Sequence, residues 1–190
     1  MSDAHTLALE QRDALPDALR VLVKELPRGT WEAHPNFSPL TRFWLSRHLM
    51  FRELLEKLQG GTRAYLDDVM DARAYGRNAG RLAQMFLQEL HAHHGIEDAH
   101  YFPLLTRLDQ RLEKGFDLLD ADHLALDGHL NGLADGTNAM LRGLGGADPK
   151  AGAGALDNHL TAFGTFLNRH LVDEEELVVP VILKYAPEIH

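Results

Sequence analysis

The sequence predicts an all-α protein, a four-helix bundle preceded by a short N-terminal helix. Three observations carry this expectation. Apolar residues recur with the helical period in almost every patterned segment, and no convincing strand-hairpin pattern appears. The long patterned segments follow one another along the chain, as helices packed side by side would. A histidine–glutamate pair recurs at identical spacing on two of them, as His93/Glu97 and His170/Glu174, each followed by an acid and then a proline, Pro103 or Pro180. Residues four apart on a helix share one face, about 40° apart and about 6 Å along the axis.

Taken in order, 14–26 reads as a short amphipathic helix with Pro16 near its first turn. The stretch 27–39 is loop-like, with three prolines, Gly29 and Asn36. A helix is expected over 41–59, with Trp44, Leu45, Leu49, Leu54, Leu55 and Leu58 as its apolar stripe, Ser38 or Thr41 as its cap and Gly60-Gly61 as its end. Residues 62–76 fit neither pattern well. A long helix over 78–102 contains Gly80 and Gly95 and stops near Pro103. A shorter helix follows over 103–114, and another long one over 116–144 despite Gly128, Gly132 and Gly136. The glycine-rich run 143–154 lacks a phosphate-loop pattern and a preceding strand, so it reads as a flexible connection. The last long helix is expected over 155–179, with 180–190 as a tail. Residues 1–40 therefore read as an N-terminal extension and 41–190 as the bundle with its tail.

Composition narrows the chemistry. The apolar share of 45% and charged share of 25% are those of a soluble globular domain. A net charge of −9 argues against nucleic acid, which needs a basic patch. The chain has no cysteine, which excludes disulfides, iron–sulfur clusters and thiol catalysis and leaves histidine and carboxylates as the strong metal ligands. The acidic N-terminus lacks a signal-peptide pattern and no apolar run is long enough to span a membrane, so a cytoplasmic protein is expected. The compositional oddity is twelve histidines against nineteen Lys plus Arg.

Each long helix carries a candidate ligand: His48 on the first, His93 and Glu97 on the second, His123 on the third, His170 and Glu174 on the fourth. Asp127 lies one turn after His123 and could add a third carboxylate. Taken singly, His48 and His123 could be hydrogen-bonded core residues, the His–Glu pairs could be solvated pairs on a helix surface, and the acids at 173–176 could form a plain acidic face. The repeat, separated by a helix with its own histidine, argues instead for a metal site in the bundle core. Imidazole with carboxylate suits iron, manganese or zinc, and six convergent ligands exceed what one tetrahedral ion uses. His91 and His94 fall off the His93 face by about 160° and 100°. His100 and His159 read as structural or supporting residues, and His5, His34, His129 and His190 as incidental.

These residues resemble the hemerythrin-like, or HHE cation-binding, family. The resemblance rests on His48, on HHGIEDAHYFP over 93–103, on His123, and on HLVDEEELVVP over 170–180, and it covers about 41–180. It implies an antiparallel up-and-down bundle around a non-heme di-iron centre. Glu97 and Glu174 would bridge two iron ions, and His48, His93, His123 and His170 would complete the shell. Zinc or manganese could occupy the site in recombinant protein. The chain departs from the oxygen carriers at Asp127, where they have a second histidine, and it offers Glu175 beside Glu174. This departure counts against reversible oxygen carriage. The resemblance implies binding of a small diatomic ligand, oxygen or nitric oxide, or sensing and handling of iron. The alternative is a di-iron enzyme that reduces oxygen, peroxide or nitric oxide, for which the sequence supplies no substrate-site motif. The N-terminal helix is expected to pack on the bundle end; otherwise it would serve a partner. The sequence leaves the oligomeric state open.

Overall fold

The computed structural model describes residues 8–188, apart from the side chain of Glu10, and every regular element among them is helical. His5 and His190 lie outside the described residues. Helix α1 is Val21–Glu25, α2 is Pro39–Leu66, α3 is Ala72–Ile96, α4 is Phe102–Thr106, α5 is Glu113–Gly143 and α6 is Ala151–Tyr185. A wide π-helical turn, Glu97–Tyr101, joins α3 to α4.

The all-α expectation holds, while several boundaries move. The N-terminal helix shrinks to the five residues of α1. Helix α2 starts where expected, because Ser38 Oγ accepts the Thr41 N–H at 3.1 Å. It then runs through Gly60-Gly61 and takes in residues 62–66 of the stretch that fitted neither pattern. Each glycine costs about 1 kcal/mol relative to alanine, and burial of Leu58, Thr62 and Tyr65 on either side overrides that cost. Helix α3 begins earlier than expected, with Asp71 accepting the Ala74 N–H at 2.9 Å. The last four residues of the glycine-rich run, 151–154, are helical, and Asp148 accepts the Ala151 N–H at 3.2 Å. Gly152 is required there: a Cβ would come within 2.9 Å of the Met140 backbone.

Neither proline ends its helix. Pro103 sits in the first turn of α4, after the wide turn in which the Phe102 N–H bonds to the Glu97 carbonyl. Pro180 lies inside α6. An internal proline costs ~3 kcal/mol, and the buried run Leu177, Val178, Val179 and Val181 holds the helix together across it.

The chain forms two compact units. One holds 49–92 and 126–166. In it Phe51 meets Phe86 and Thr62 meets Tyr75, so α2 and α3 run antiparallel. Gly76 and Gly80 face Leu144 and Leu141, Gly132 and Gly152 face His159 and Met140, and Arg63 pairs with Asp157. Successive segments thus alternate in direction around this unit. Its interior is apolar: Phe86 meets Phe51 and Phe163 edge to face, and Tyr65 stacks on Tyr75 at 4.5 Å.

The other unit holds the described residues up to His48, together with 93–125 and 167–188. Its helical segments alternate in the same way: Trp44 and His48 meet Glu97 and His93, Asp98 meets His123, and Asp122 meets His170. The N-terminal segment belongs to this unit. Leu15, Leu19, Leu22, Val23 and Trp31 share one apolar cluster with Phe102, Leu105, Phe116 and Leu177.

Candidate metal centre

The helical period brings the repeated pairs inward. His93 and Glu97 lie one turn apart, as do His170 and Glu174, and all four side chains are buried. They form part of two groups of potential ligands. His48, His93, Glu97 and Glu174 present ligand atoms within 4.8 Å of one another, and His94, His123 and His170 do the same. In the first group His48 Nε2 lies 3.0 Å from His93 Nε2 and 3.5 Å from Glu174 Oε2, and His93 Nε2 lies 3.0 Å from Glu97 Oε1.

The two carboxylates also reach the second group. Glu97 Oε2 is 3.9 Å from His123 Nε2, and Glu174 Oε2 is 3.4 Å from His170 Nε2. The wide turn at Glu97–Tyr101 places Glu97 at its first residue; such turns inside helices recur at functional sites.

The donor set fits a metal. Buried polar atoms are normally hydrogen-bonded, because an unsatisfied one costs a desolvation penalty. Here Glu97 Oε2, both oxygens of Glu174, and Nε2 of His94, His123 and His170 have no hydrogen-bond partner beyond the contact of the two carboxyl groups with each other. All belong to the two groups, and a cation is what would satisfy them together.

Electrostatics describe the same interior. Burial holds His93 down to about 2, helped by the neighbouring His48, and pushes His94 and His170 well below the ordinary imidazole value. Burial raises Glu97 to about 7. Glu174 is pushed well above the usual carboxyl range by burial and then by the Glu97 carboxylate. Without a cation the site favours neutral imidazoles and protonated carboxyls, and binding a metal must release protons.

Several supporting contacts orient these side chains. Trp44 Nε1 donates to Glu97 Oε1 at 2.7 Å. The Nδ1 atoms of His48, His123 and His170 face Glu175, Asp98 and Asp122 at 3.0, 2.7 and 3.4 Å. A carboxylate behind an imidazole fixes its tautomer and leaves Nε2 for a metal. Glu174 and Glu175 differ in position: Glu174 belongs to the first group of potential ligands and Glu175 lies behind His48.

Of the sequence-derived candidates, His48, His93, Glu97, His123, His170 and Glu174 are brought together. Asp127 is not. Its side chain is exposed, and it belongs to neither group. Helical spacing from His123 aligned it with the site, but His123 itself is turned by Asp98 and stacks on His94 at 3.9 Å. His94 fills out the second group instead. Its position off the His93 face hides it from any reading in which one face serves one site; adjacent histidines on α3 serve two adjacent groups. The His93-His94 doublet was the available signal. Among the other histidines, His91 and His100 are exposed, and His159 Nε2 bonds to the His129 carbonyl at 2.9 Å, a structural role.

This geometry, a helical bundle whose inner faces converge histidine and glutamate, defines a cation-binding helical protein. The profile of the hemerythrin HHE cation-binding domain matches residues 40–182, and the chain belongs to that family. Neither a curated protein nor a solved structure matches the chain. No helix among the described residues is long and apolar enough to cross a membrane.

Proposed function

We propose that the chain holds a dinuclear non-heme iron centre and uses it to sense or handle oxygen, nitric oxide or iron. One observation carries this reading: six unsatisfied buried atoms belong to two groups of potential ligands, and Glu97 and Glu174 each lie within reach of both. Two cations close together in a low-dielectric interior repel strongly, and shared carboxylates offset that repulsion. His48 and His93 would hold one ion, and His94, His123 and His170 the other. Bound iron supplies redox chemistry and positions for a small diatomic ligand.

The protein's own groups set the conditions. Trp44, through Nε1, fixes the orientation of Glu97, and its ring lies 4.1 Å from that of His48. Phe102 stacks beside His123 at 5.4 Å and shields it from water. The carboxylates behind the imidazoles keep Nδ1 protonated and Nε2 available. The test is anaerobic reduction of iron-loaded protein, followed by exposure to oxygen or nitric oxide and optical monitoring. A spectral change on exposure supports the reading. Reversal on gas removal would indicate carriage, and persistent oxidation would indicate sensing or handling. A spectrum insensitive to both gases and to reduction would overturn it.

A further inference from the structure

The last helix carries four consecutive acids, Asp173, Glu174, Glu175 and Glu176, and the first three are buried. Buried carboxylates need partners; Asp173 has Arg169 one turn before it, and three further arginines come from the N-terminal segment, which lies outside the matched family domain. Arg12 pairs with Asp173 at 2.8 Å, Arg28 with Glu175 at 2.5 Å and Arg20 with Glu176 at 3.2 Å. Glu174 receives none of these arginines and faces the ligand groups.

Two of the pairings continue inward. Arg12 is buried and also binds Asp122, whose Oδ2 faces His170 Nδ1 at 3.4 Å. Arg28 holds Glu175, whose other oxygen meets His48 Nδ1 at 3.0 Å. Each is an arginine–carboxylate–imidazole chain ending on a ligand histidine. Two further contacts anchor the segment. Trp31 lies in the apolar cluster and underlies the Arg28 guanidinium at 4.7 Å, and Arg169 donates to the Asp13 carbonyl at 2.6 Å. His123 provides an internal contrast. Its carboxylate, Asp98, is part-exposed and pairs with none of these arginines.

We infer that the N-terminal segment is a clasp on the metal centre, in which Arg12 and Arg28 are positioning residues that hold His170 and His48 in the metal-binding tautomer through Asp122 and Glu175. The arginine holds each buried carboxylate in place; the carboxylate accepts a hydrogen bond from Nδ1–H; Nε2 is left as the ligand atom. The inference rests on reading the two groups as metal ligands.

The test uses full-length protein and two readouts. Long-range proton–nitrogen NMR on metal-free protein reports each histidine tautomer, and cobalt(II) titration reports affinity. Wild type is expected to show Nδ1–H forms at His48, His123 and His170. Arg28→Met should shift His48 alone and Arg12→Met should shift His170 alone, with His123 unchanged in both. Each variant should weaken cobalt binding about 10–100-fold, the usual effect of losing an outer partner of a ligand. Arg12→Met takes the guanidinium from Asp122 and leaves Asp173 to Arg169 alone; if it does not fold, Arg12→Lys keeps the charge without the fork and should shift His170 in the same direction. Unchanged tautomers in the Arg28 and folded Arg12 variants would overturn the clasp. Wild type taking up a single cobalt ion would instead overturn the dinuclear reading, and the tautomer shifts would still decide the clasp.

Discussion

The two compact units use the same four long helices and fill their interiors in opposite ways. One is closed by Phe51, Phe86, Phe163 and the Tyr65–Tyr75 stack, with Thr62 satisfied by the Leu58 carbonyl at 2.8 Å. The other encloses five ligand-group histidines, two glutamates and a shell of ion pairs. The first interior is stable by itself, because apolar burial needs no partner. The second is costly until something binds the atoms it leaves unsatisfied. One half of these helices is therefore scaffold, and the other is a site whose stability depends on its occupant.

A single substitution in each interior should separate the two most clearly. Glu174→Gln should abolish binding of at least one metal ion, and should raise the melting temperature of metal-free protein at pH 8, because a buried carboxyl that resists ionisation is replaced by a neutral amide. Phe163→Ala should do the reverse. It should cost about 3–5 kcal/mol of stability while the folded fraction keeps its full metal content. Thermal melts with and without metal, alongside metal analysis, check both. A Glu174→Gln variant that retains both metals would contradict the site.

A second expected effect concerns pH in the metal-free protein. Glu97 is raised from 4.5 to about 7, so between those values the folded chain keeps a proton that the unfolded chain has released, and stability falls as pH rises through that window. Glu174 and Asp122, also raised by burial, act in the same direction. His93, His94 and His170 are lowered from 6.5, so below 6.5 the unfolded chain binds protons that the folded chain does not, and stability falls as pH drops. The two effects oppose each other between about 4.5 and 6.5. Metal-free protein should therefore be most stable in that mildly acidic range and lose stability on both sides. Saturating zinc should lift the alkaline side, because binding uses the ionised carboxylates. Melting temperatures from pH 4 to pH 8, with and without zinc, test this; an alkaline fall that zinc leaves untouched would contradict it.

Smaller effects separate His94 from Asp127. His94→Ala should weaken metal binding about 10-fold or more, removing one imidazole of the second group. Asp127→His should leave metal content and the oxidation rate of reduced protein unchanged, because that side chain is exposed. Stopped-flow mixing with oxygen reads the second, and a changed rate would return position 127 to the site.

Much of this was legible in the sequence, for identifiable reasons. The repeated His–Glu spacing survives any error in helix ends, because it depends only on the local period. The helix ends themselves were less legible. Gly60-Gly61 and Pro180 are local breakers overridden by burial in the surrounding core, a contribution no local rule contains. The wide turn at Glu97–Tyr101 has no clear sequence mark. Arg12 was invisible for a different reason: its partners Asp122 and Asp173 lie 110 and 161 residues away, and only the folded bundle brings them together. His94 lies off the face that a single metal would use, and only the second ligand group gives it a place.

The proposed dinuclear centre implies a definite stoichiometry. Full-length protein expressed with abundant iron and purified anaerobically can be assayed for metal and quantified by amino-acid analysis. Two ions per chain are expected, with iron predominating. At most one ion per chain, with wild-type helicity retained, would contradict the dinuclear centre.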